Sequence, residues 1–460
     1  MVNKHRRWFF LFAPAVLCSN LLAASPRNNV VPSWGDFVVA FGPGTDPAMD
    51  SPEAVQNMIK HWQGRGHTGI YLRTDLVQLD PSMIRRNPVV QPNPRLAHLW
   101  NHIDGVMESF DAHQVGHRFA ESIGFEFWAW HPHIYSDGAP ENAGAPGAGR
   151  MVPWSYGSAY TYQHPEAITV DRKGNKLWMV PEYAYPGARA AKVAEFVHMA
   201  KTGVKRFIAC MRSEVLQLQD APDKADRFGF GEPVVREMQR RHGVDILTDP
   251  RFDVDRADFN PRDPMVEAWH NLRGEHVTQL YRELRRALRE VDPQIRLAVT
   301  LSGDHVGPPM GNWRLDWRTW VDEGLVDEII APVSFEATID HEANKKGYLT
   351  NVLAGVGTVP YATLRSYIDR SPHPEIKIIA TGAYPYFFKP PPAGTDGWRS
   401  DAWYDAYHMA WRQRWQQWMK DLKEFGHIKF LKQDFDAAEV PEHGRLEAWG
   451  CFAYNPKVRS

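Results

Sequence analysis

Seven short polar runs in this chain each follow a stretch of apolar residues, and their side chains belong to acid/base and sugar-recognition chemistry. They are Arg73-Thr74-Asp75, His131-Pro132-His133, Arg212-Ser213-Glu214, Ser302-Gly303-Asp304-His305, Ser334-Phe335-Glu336, Tyr384-Pro385-Tyr386 and Gln433-Asp434-Phe435-Asp436. Brought to one place, they would supply the carboxylates Glu214, Asp304, Glu336 and Asp434, two arginines, several imidazoles, and an aromatic wall of Trp128, Trp130 and Tyr386. Cleaving a glycosidic bond needs two carboxylates about 5 to 10 Å apart, one protonated and one ionised. Carboxylates placed close together push each other's pKa values apart, which yields the acid and the base. The expected catalytic set is Glu214 with Glu336 or Asp304. Arg73, Asp75, Trp128, Trp130, His131, His133, Arg212, Tyr386 and Asp434 are expected to bind the substrate, with no cofactor. Arginine offers paired donors that suit sugar carboxylates or sulfates as well as hydroxyls. Arg212 is equally suited to neutralising a neighbouring carboxylate.

Two other chemistries remain open on the same residues. His131-x-His133 has a metal-ligand spacing, and with His305 and Asp434 it could build the Zn²⁺ site of an amidohydrolase-type hydrolase. A protein that keeps the aromatics and hydrogen-bonding groups without a working acid/base pair would instead be a non-catalytic carbohydrate binder.

Such residues must be positioned by the elements that precede them. Eight short apolar runs read as strands: Trp34–Phe41, His67–Leu72, Phe125–Trp130, Arg206–Met211, Ile295–Leu301, Val326–Val333, Glu375–Thr381 and His427–Lys432. Helical periodicity separates them, at Pro52–Gly64, Leu96–Ile123, Ala188–Lys201, Met265–Val291, Trp317–Glu323, near 344–354 and at Trp403–Phe425. Strands alternating with helices call for a parallel sheet covered on the outside, and eight of them favour an α/β fold closed as a (β/α)8 TIM barrel. Catalytic groups of that architecture sit at the C-terminal strand ends, where the polar runs fall. Asp327 and Glu328 start a strand instead and are expected to be solvated or capping groups. Long insertions at about 137–187 and 213–263 interrupt the repeat. Trp154, Tyr156, Tyr160 and Tyr162 in the first are expected to form a substrate wall. The first strand ends in Phe41-Gly42-Pro43-Gly44, without the glycine pattern of a dinucleotide-binding loop.

Composition narrows the partners. A formal net charge of −2 over 460 residues leaves no basic footprint for nucleic acid. The 18 Trp, 16 Tyr and 22 Phe are more aromatic surface than a core of this size needs, and sugar rings present C–H faces that stack on such side chains. Residues 1–24 read as a signal peptide: Lys4, Arg6 and Arg7, then an apolar Trp8–Leu17, then Leu22-Ala23-Ala24 as a cleavage site. Arg6-Arg7-Trp8-Phe9-Phe10 also fits the twin-arginine pattern. The expectation is a secreted or periplasmic protein with one barrel domain at 33–460 and no membrane insertion, since about 20 apolar residues are needed to span a bilayer. Cys210 and Cys451, the cysteines left after processing, are expected to be buried free thiols.

Trp178–Arg189 (WMVPEYAYPGAR), Arg212-Ser213-Glu214, Ala225–Val234 (ADRFGFGEPV), Arg241–Asp245 (RHGVD), Trp269–Glu275 (WHNLRGE) and Asp316–Pro332 (DWRTWVDEGLVDEIIAP) together resemble the family 10-like glycosyl hydrolase group. The resemblance implies a secreted bacterial (β/α)8 protein acting on carbohydrate. Better-known members of the wider group carry an Asp three residues before the fourth-strand Arg. Here the sequence is Ala209-Cys210-Met211-Arg212, and Glu214 is the candidate replacement.

Overall fold

The computed structural model describes residues 28–31, 51–64, 66–73, 83–86, 105–106, 108–131, 156–209, 226–300, 315–334, 359–381 and 445–448. Its centre is a sheet of parallel strands: β1 (Asn28–Val31), β2 (Gly69–Arg73), β4 (Glu126–His131), β8 (Arg206–Ala209), β9 (Arg296–Thr300), β10 (Glu328–Ser334), β12 (Lys377–Thr381) and β13 (Arg445–Ala448). β10 pairs with β9 on one side and β12 on the other, while β1 pairs with β13 and β2, so each of these eight strands is bonded to two neighbours. A short β11 (Val359–Pro360) adds to β10. The Trp34–Phe41 and His427–Lys432 runs lie outside the described residues. Asn28–Val31 and Arg445–Ala448 are the strands seen next to each other in the sheet.

Helices cover the sheet where the sequence repeat places them. α1 (Pro52–Gly64) starts at Ser51, whose hydroxyl accepts from the Ala54 amide at 3.2 Å, and it buries Val55, Met58, Ile59 and Trp62 at the i, i+3, i+4, i+7 spacing of one face. α2 (Ala112–Ser122) is capped by Asp111, which accepts from the Gln114 amide at 2.9 Å. The insertion after β4 contains β5 (Tyr156–Ser158), paired with β3 (Ile84–Arg86), then α3 (Ala159–Gln163) and a hairpin of β6 (Ile168–Val170) and β7 (Lys176–Pro181). α4 (Pro186–Lys201) leads to β8. α5 (Glu232–His242) belongs to the second insertion, and α6 (Pro264–Val291) carries the chain back to β9. α7 (Trp317–Asp322) and α8 (Tyr361–Ile368) follow β9 and β11. Among the described residues these eight helices all stand in the connections from β1 to β12, and the segments after β12 and β13 fall outside the described residues. No described helix is long and apolar enough to cross a membrane.

Period-two alternation sorts each strand onto two faces. Ile70, Leu72, Phe127, Ala129, Phe207, Ala209, Leu297, Val299, Ile329 and Ile378 join the core shared with the helices. The alternate residues Tyr71, Trp128, Trp130, Ile208, Ala298, Ile330 and Ile379 are buried on the opposite, inner face. At the N-terminal end that inner face is polar. Asn29 donates to Glu126 at 2.9 Å, and Arg296 pairs with Glu126 at 3.3 Å and with Glu328. The Arg296 guanidinium lies 5.1 Å from the Trp128 ring centroid, so the charged layer meets the aromatic one through a cation–π contact. Gly69 is required here, because a Cβ would stand 2.6 Å from the Asn29 amide oxygen.

This layer corrects the expectation for Glu328, while Asp327 is partly exposed and caps a backbone amide as expected. Glu328 is fully buried, because its position on β10 turns it to the inner face with Arg296. Asp327 is held by Arg285 of α6 through two bonds of 2.6 and 2.7 Å and accepts from the Leu297 amide at 2.7 Å. Both are fixed parts of the sheet floor.

Between α2 and the sheet, His113 is buried with its Nε2 3.2 Å from the Leu72 carbonyl, and burial pushes its pKa down to about 3. The folded state therefore keeps this imidazole neutral, while the unfolded chain protonates it below about pH 6.5. Its contribution is neutral above that pH and turns destabilising as pH falls from about 6.5 toward 3. Urea unfolding at pH 7 and pH 5 should show a loss on the order of 2 kcal/mol attributable to this group. In His113→Gln, which retains a donor for the Leu72 carbonyl, that part of the pH slope should vanish.

Candidate functional site

The C-terminal ends of β2, β4, β8, β9, β10 and β12 open on the same side of the sheet, and β4 gives the most complete view of that end. Trp128 packs edge-on against Tyr71 at 5.4 Å between centroids, and Trp130 lies one step nearer the mouth, paired in register with Arg73 on β2 and Ile208 on β8. Both indoles are fully buried, so they fill the interior beneath the opening. Arg73 is the last residue of β2.

His131 ends β4 on the other face. It packs edge-on against Phe196 of α4 at 4.8 Å, and its Nε2 lies 2.8 Å from Oε2 of Glu195. Lys192, one turn earlier on α4, reaches the same oxygen at 2.5 Å. All three side chains are at most 2% exposed. Burial alone would raise the Glu195 carboxyl, but the Lys192 ammonium and the His131 hydrogen bond outweigh it and hold the group below its ordinary value. The His131 pKa is lowered by burial, with Glu195 opposing. Because a carboxylate only accepts, His131 donates from Nε2. The arrangement is a buried ammonium–carboxylate–imidazole chain that pins the end of β4 to α4.

A second buried polar network joins the two insertions to the N-terminal half of α6. Glu182, just after β7, accepts from the Thr169 hydroxyl at 3.0 Å and lies 3.8 Å from Arg273. Arg273 donates to the Phe228 carbonyl at 3.2 Å, Trp269 to the Gly229 carbonyl at 3.0 Å, and His270 Nε2 stands 2.7 Å from Asp226. The Gly229 and Phe230 amides both donate to the Val170 carbonyl of β6. Gly229 has φ +116°, and a Cβ there would lie 2.3 Å from the Arg273 guanidinium carbon, so only glycine fits. Around this network Phe230, Val234, Met238, Ile246, Phe252, Val266, Trp269 and Leu272 form a separate apolar core.

Of the residues expected at the site, Arg73, Trp128, Trp130 and His131 are among those described. Glu214, Glu336, Asp304, Asp75, His133, Arg212, Tyr386 and Asp434 lie outside the described residues, as do Trp154, His305 and both expected thiols. Tyr160 is partly buried and stacks on His164 at 4.3 Å, and Tyr156 belongs to β5. Burial raises the Tyr162 phenol. Trp128 and Trp130 form the interior filling, and His131 is turned to the helix layer. The position at which better-known family members carry Asp is Ala209, whose side chain also faces that layer. Among the described residues no three metal-ligating side chains cluster. Sequence reasoning did not single out Lys192, Glu195, Asp226 or His270. The available signal for the first two was a pair of charged residues, three apart, on the α4 stripe that buries Ala188, Phe196 and Met199. Asp226 and His270 stand inside two of the family-like motifs.

Residues 157–349 match the family model described as glycosyl hydrolase-like 10, which shows the resemblance over that segment. None of the curated proteins matches the chain. Among solved structures, the chain is similar to the catalytic domain of a β-amylase from Paenibacillus polymyxa, at 9% identity and a TM-score of 0.43, covering 93% of this chain and 92% of that one. It is also similar to a β-galactosidase from the psychrophilic Marinomonas ef1, at 12% identity and a TM-score of 0.35, covering 69% of this chain and 42% of that one. An α-galactosidase from Thermus thermophilus aligns at 10% identity and a TM-score of 0.31, over 95% of this chain and 59% of that one.

The chain on α4 makes a prediction of its own. Removing one member of a buried ion pair leaves the other charge uncompensated, at a cost of about 3 to 5 kcal/mol. Glu195→Ala should lose stability by that amount in urea unfolding. Adding Lys192→Met to Glu195→Leu should recover most of it, because an apolar pair of similar volume carries no buried charge.

Proposed function

We propose that this chain is an exported glycoside hydrolase with a complete (β/α)8 barrel, in which a carboxylate pair at the C-terminal mouth cleaves an oligosaccharide or polysaccharide. The observation that carries this reading is the order of the sheet. β8, β9 and β10 are consecutive hydrogen-bonded neighbours, and the chain runs from their C-terminal ends into Glu214, Asp304 and Glu336 respectively. Those acids follow the last strand residues Ala209, Thr300 and Ser334 by five residues or fewer in sequence. Three carboxylates on adjacent strand ends are the supply from which an acid and a base can be drawn. The glycosyl hydrolase-like 10 match over 157–349 spans all three. A sugar would lie above Trp130, with Arg73, His133 and Arg212 as donors and the Tyr160 face of the first insertion beside it. Export through the segment 1–24 would deliver the protein to polymers outside the cytoplasm.

A second reading, a carbohydrate-binding barrel without turnover, draws on Ala209 at the position of the family Asp. The amide series separates the two. Glu214→Gln, Glu336→Gln and Asp304→Asn keep shape and remove proton transfer, so two of the three should lower turnover by about 10² to 10⁴, read as reducing sugar released from a polysaccharide that the parent cleaves. Near-parental rates in all three would overturn the assignment of the pair. Binding without release by the parent would favour the second reading.

A further inference from the structure

We propose that Tyr160, His164 and Tyr185 form a sugar-binding subsite on the rim of the sheet, with Glu166 and Glu232 as acceptors for hydroxyls, and that it takes an uncharged sugar unit. This rests on the reading given above that the chain acts on carbohydrate. Three segments meet at the subsite. α3 carries Tyr160, and His164 follows one turn on, with the two rings stacked at 4.3 Å between centroids and 26° between planes. The Tyr160 hydroxyl lies against Gly187 in the first turn of α4, where a Cβ would stand 2.2 Å from it. Tyr185 precedes that same turn, and its phenol lies against the backbone amide of Glu232 at the start of α5. α4 is packed on the sheet, and β8 begins five residues after its last residue, Lys201. Its first turn therefore stands at the opposite end, where the strands finish and a barrel of this kind binds its ligand.

The His164 side chain is 45% exposed, and those of Glu166 and Glu232 are 62% and 64% exposed. Tyr160 and Tyr185 are partly buried and pack against the main core. Core packing accounts for the two phenols, but it does not call for an exposed imidazole stacked in line with one of them. Flat rings accept the C–H face of a pyranose, because the ring face is negative and the C–H groups are weakly positive. Its own backbone amide and the His164 contact at 3.0 Å hold the Glu166 carboxyl below its ordinary value. Glu232 is paired with Arg236 at 3.1 Å, an exposed contact that water screens and a hydroxyl can replace. Burial raises the Tyr185 phenol, and the carboxylates of Glu232, Glu182 and Glu166 raise it further. The phenol thus stays protonated and keeps a proton to donate. Ionised carboxylates only accept, so they suit sugar hydroxyls and repel a sugar carboxylate or sulfate. That charge selects an uncharged unit.

The test measures retardation of the full-length protein in native gels that contain soluble xylan, mannan or β-glucan as neutral polymers, or polygalacturonate or alginate as acidic ones. Reducing-sugar release and thermal unfolding are followed for each variant. At least one neutral polymer should retard the parent, and neither acidic polymer should bind more tightly than it. His164→Ala and Tyr185→Ala should each weaken binding to that neutral polymer by about fivefold or more, the order of one aromatic contact. Tyr185→Phe, which keeps the ring, should lose less than Tyr185→Ala. His164 is exposed, so His164→Ala should melt with the parent and report on binding even where Tyr185→Ala fails to fold. The inference is overturned if His164→Ala binds as the parent does, if Tyr185→Phe loses as much as a folded Tyr185→Ala, or if an acidic polymer is held more tightly than every neutral one. Release of sugar from a polymer that does not retard the parent overturns the subsite and leaves the hydrolase reading. Retardation that depends on these residues, without release, overturns the hydrolase reading and leaves the subsite. Neither retardation nor release by any of the five polymers overturns both.

Discussion

A parallel sheet covered by helices leaves its strands no solvent face, and the rest of this molecule follows from that constraint. Every side chain on β4 must find its partner either among the helices or in the interior. Phe127, Ala129 and His131 turn to the helices, and Trp128 and Trp130 turn inward. Polar residues on either face are then obliged to pair, because water cannot satisfy them. The Arg296 layer below Trp128 and the Lys192–Glu195–His131 chain beside β4 are the two forms this obligation takes. One neutralises charge on the inner face, the other on the outer. Both tie strands to neighbours distant in sequence.

The same constraint decides what can serve a ligand. The described side chains within the strands are committed to one packed layer or the other, which leaves a ligand to residues at and beyond the strand ends and to the insertions. The insertions are suited to it, since hairpin β6–β7 and the turn at 226–231 are locked to α6 by backbone and buried side-chain bonds.

Most of the sheet was legible because a two-sided buried strand is a short apolar run, and such runs are conspicuous between polar connections. β4, expected at Phe125–Trp130, lies at Glu126–His131, and β9, expected at Ile295–Leu301, lies at Arg296–Thr300. α6 begins one residue ahead of its expected start, with Pro264 at its first turn and Asp263 as its cap. The face on which a strand-end residue lies was harder to read. His131 is at the mouth by sequence position, but alternation from Phe127 through Ala129 turns it to α4, and its partner Glu195 is 64 residues away. Asp226 and His270 are separated by 44 residues, and no local pattern pairs them. Glu328 looked exposed because it starts a strand and is charged. Its burial depends on Arg296 arriving from the adjacent strand.

α6 belongs to two apolar cores at once. Val277, Leu280, Tyr281, Leu284 and Leu288 pack in the core against the sheet, while Val266, Trp269 and Leu272 pack in the core of the second insertion. It does so as one uninterrupted helix of 28 residues, about 42 Å long by the usual rise per residue. Such a rod cannot serve as a hinge between the bodies it joins. The insertion cannot open its core without fraying the front half of a helix whose rear half is embedded in the sheet covering, so the two cores share a single cooperative unit of unfolding.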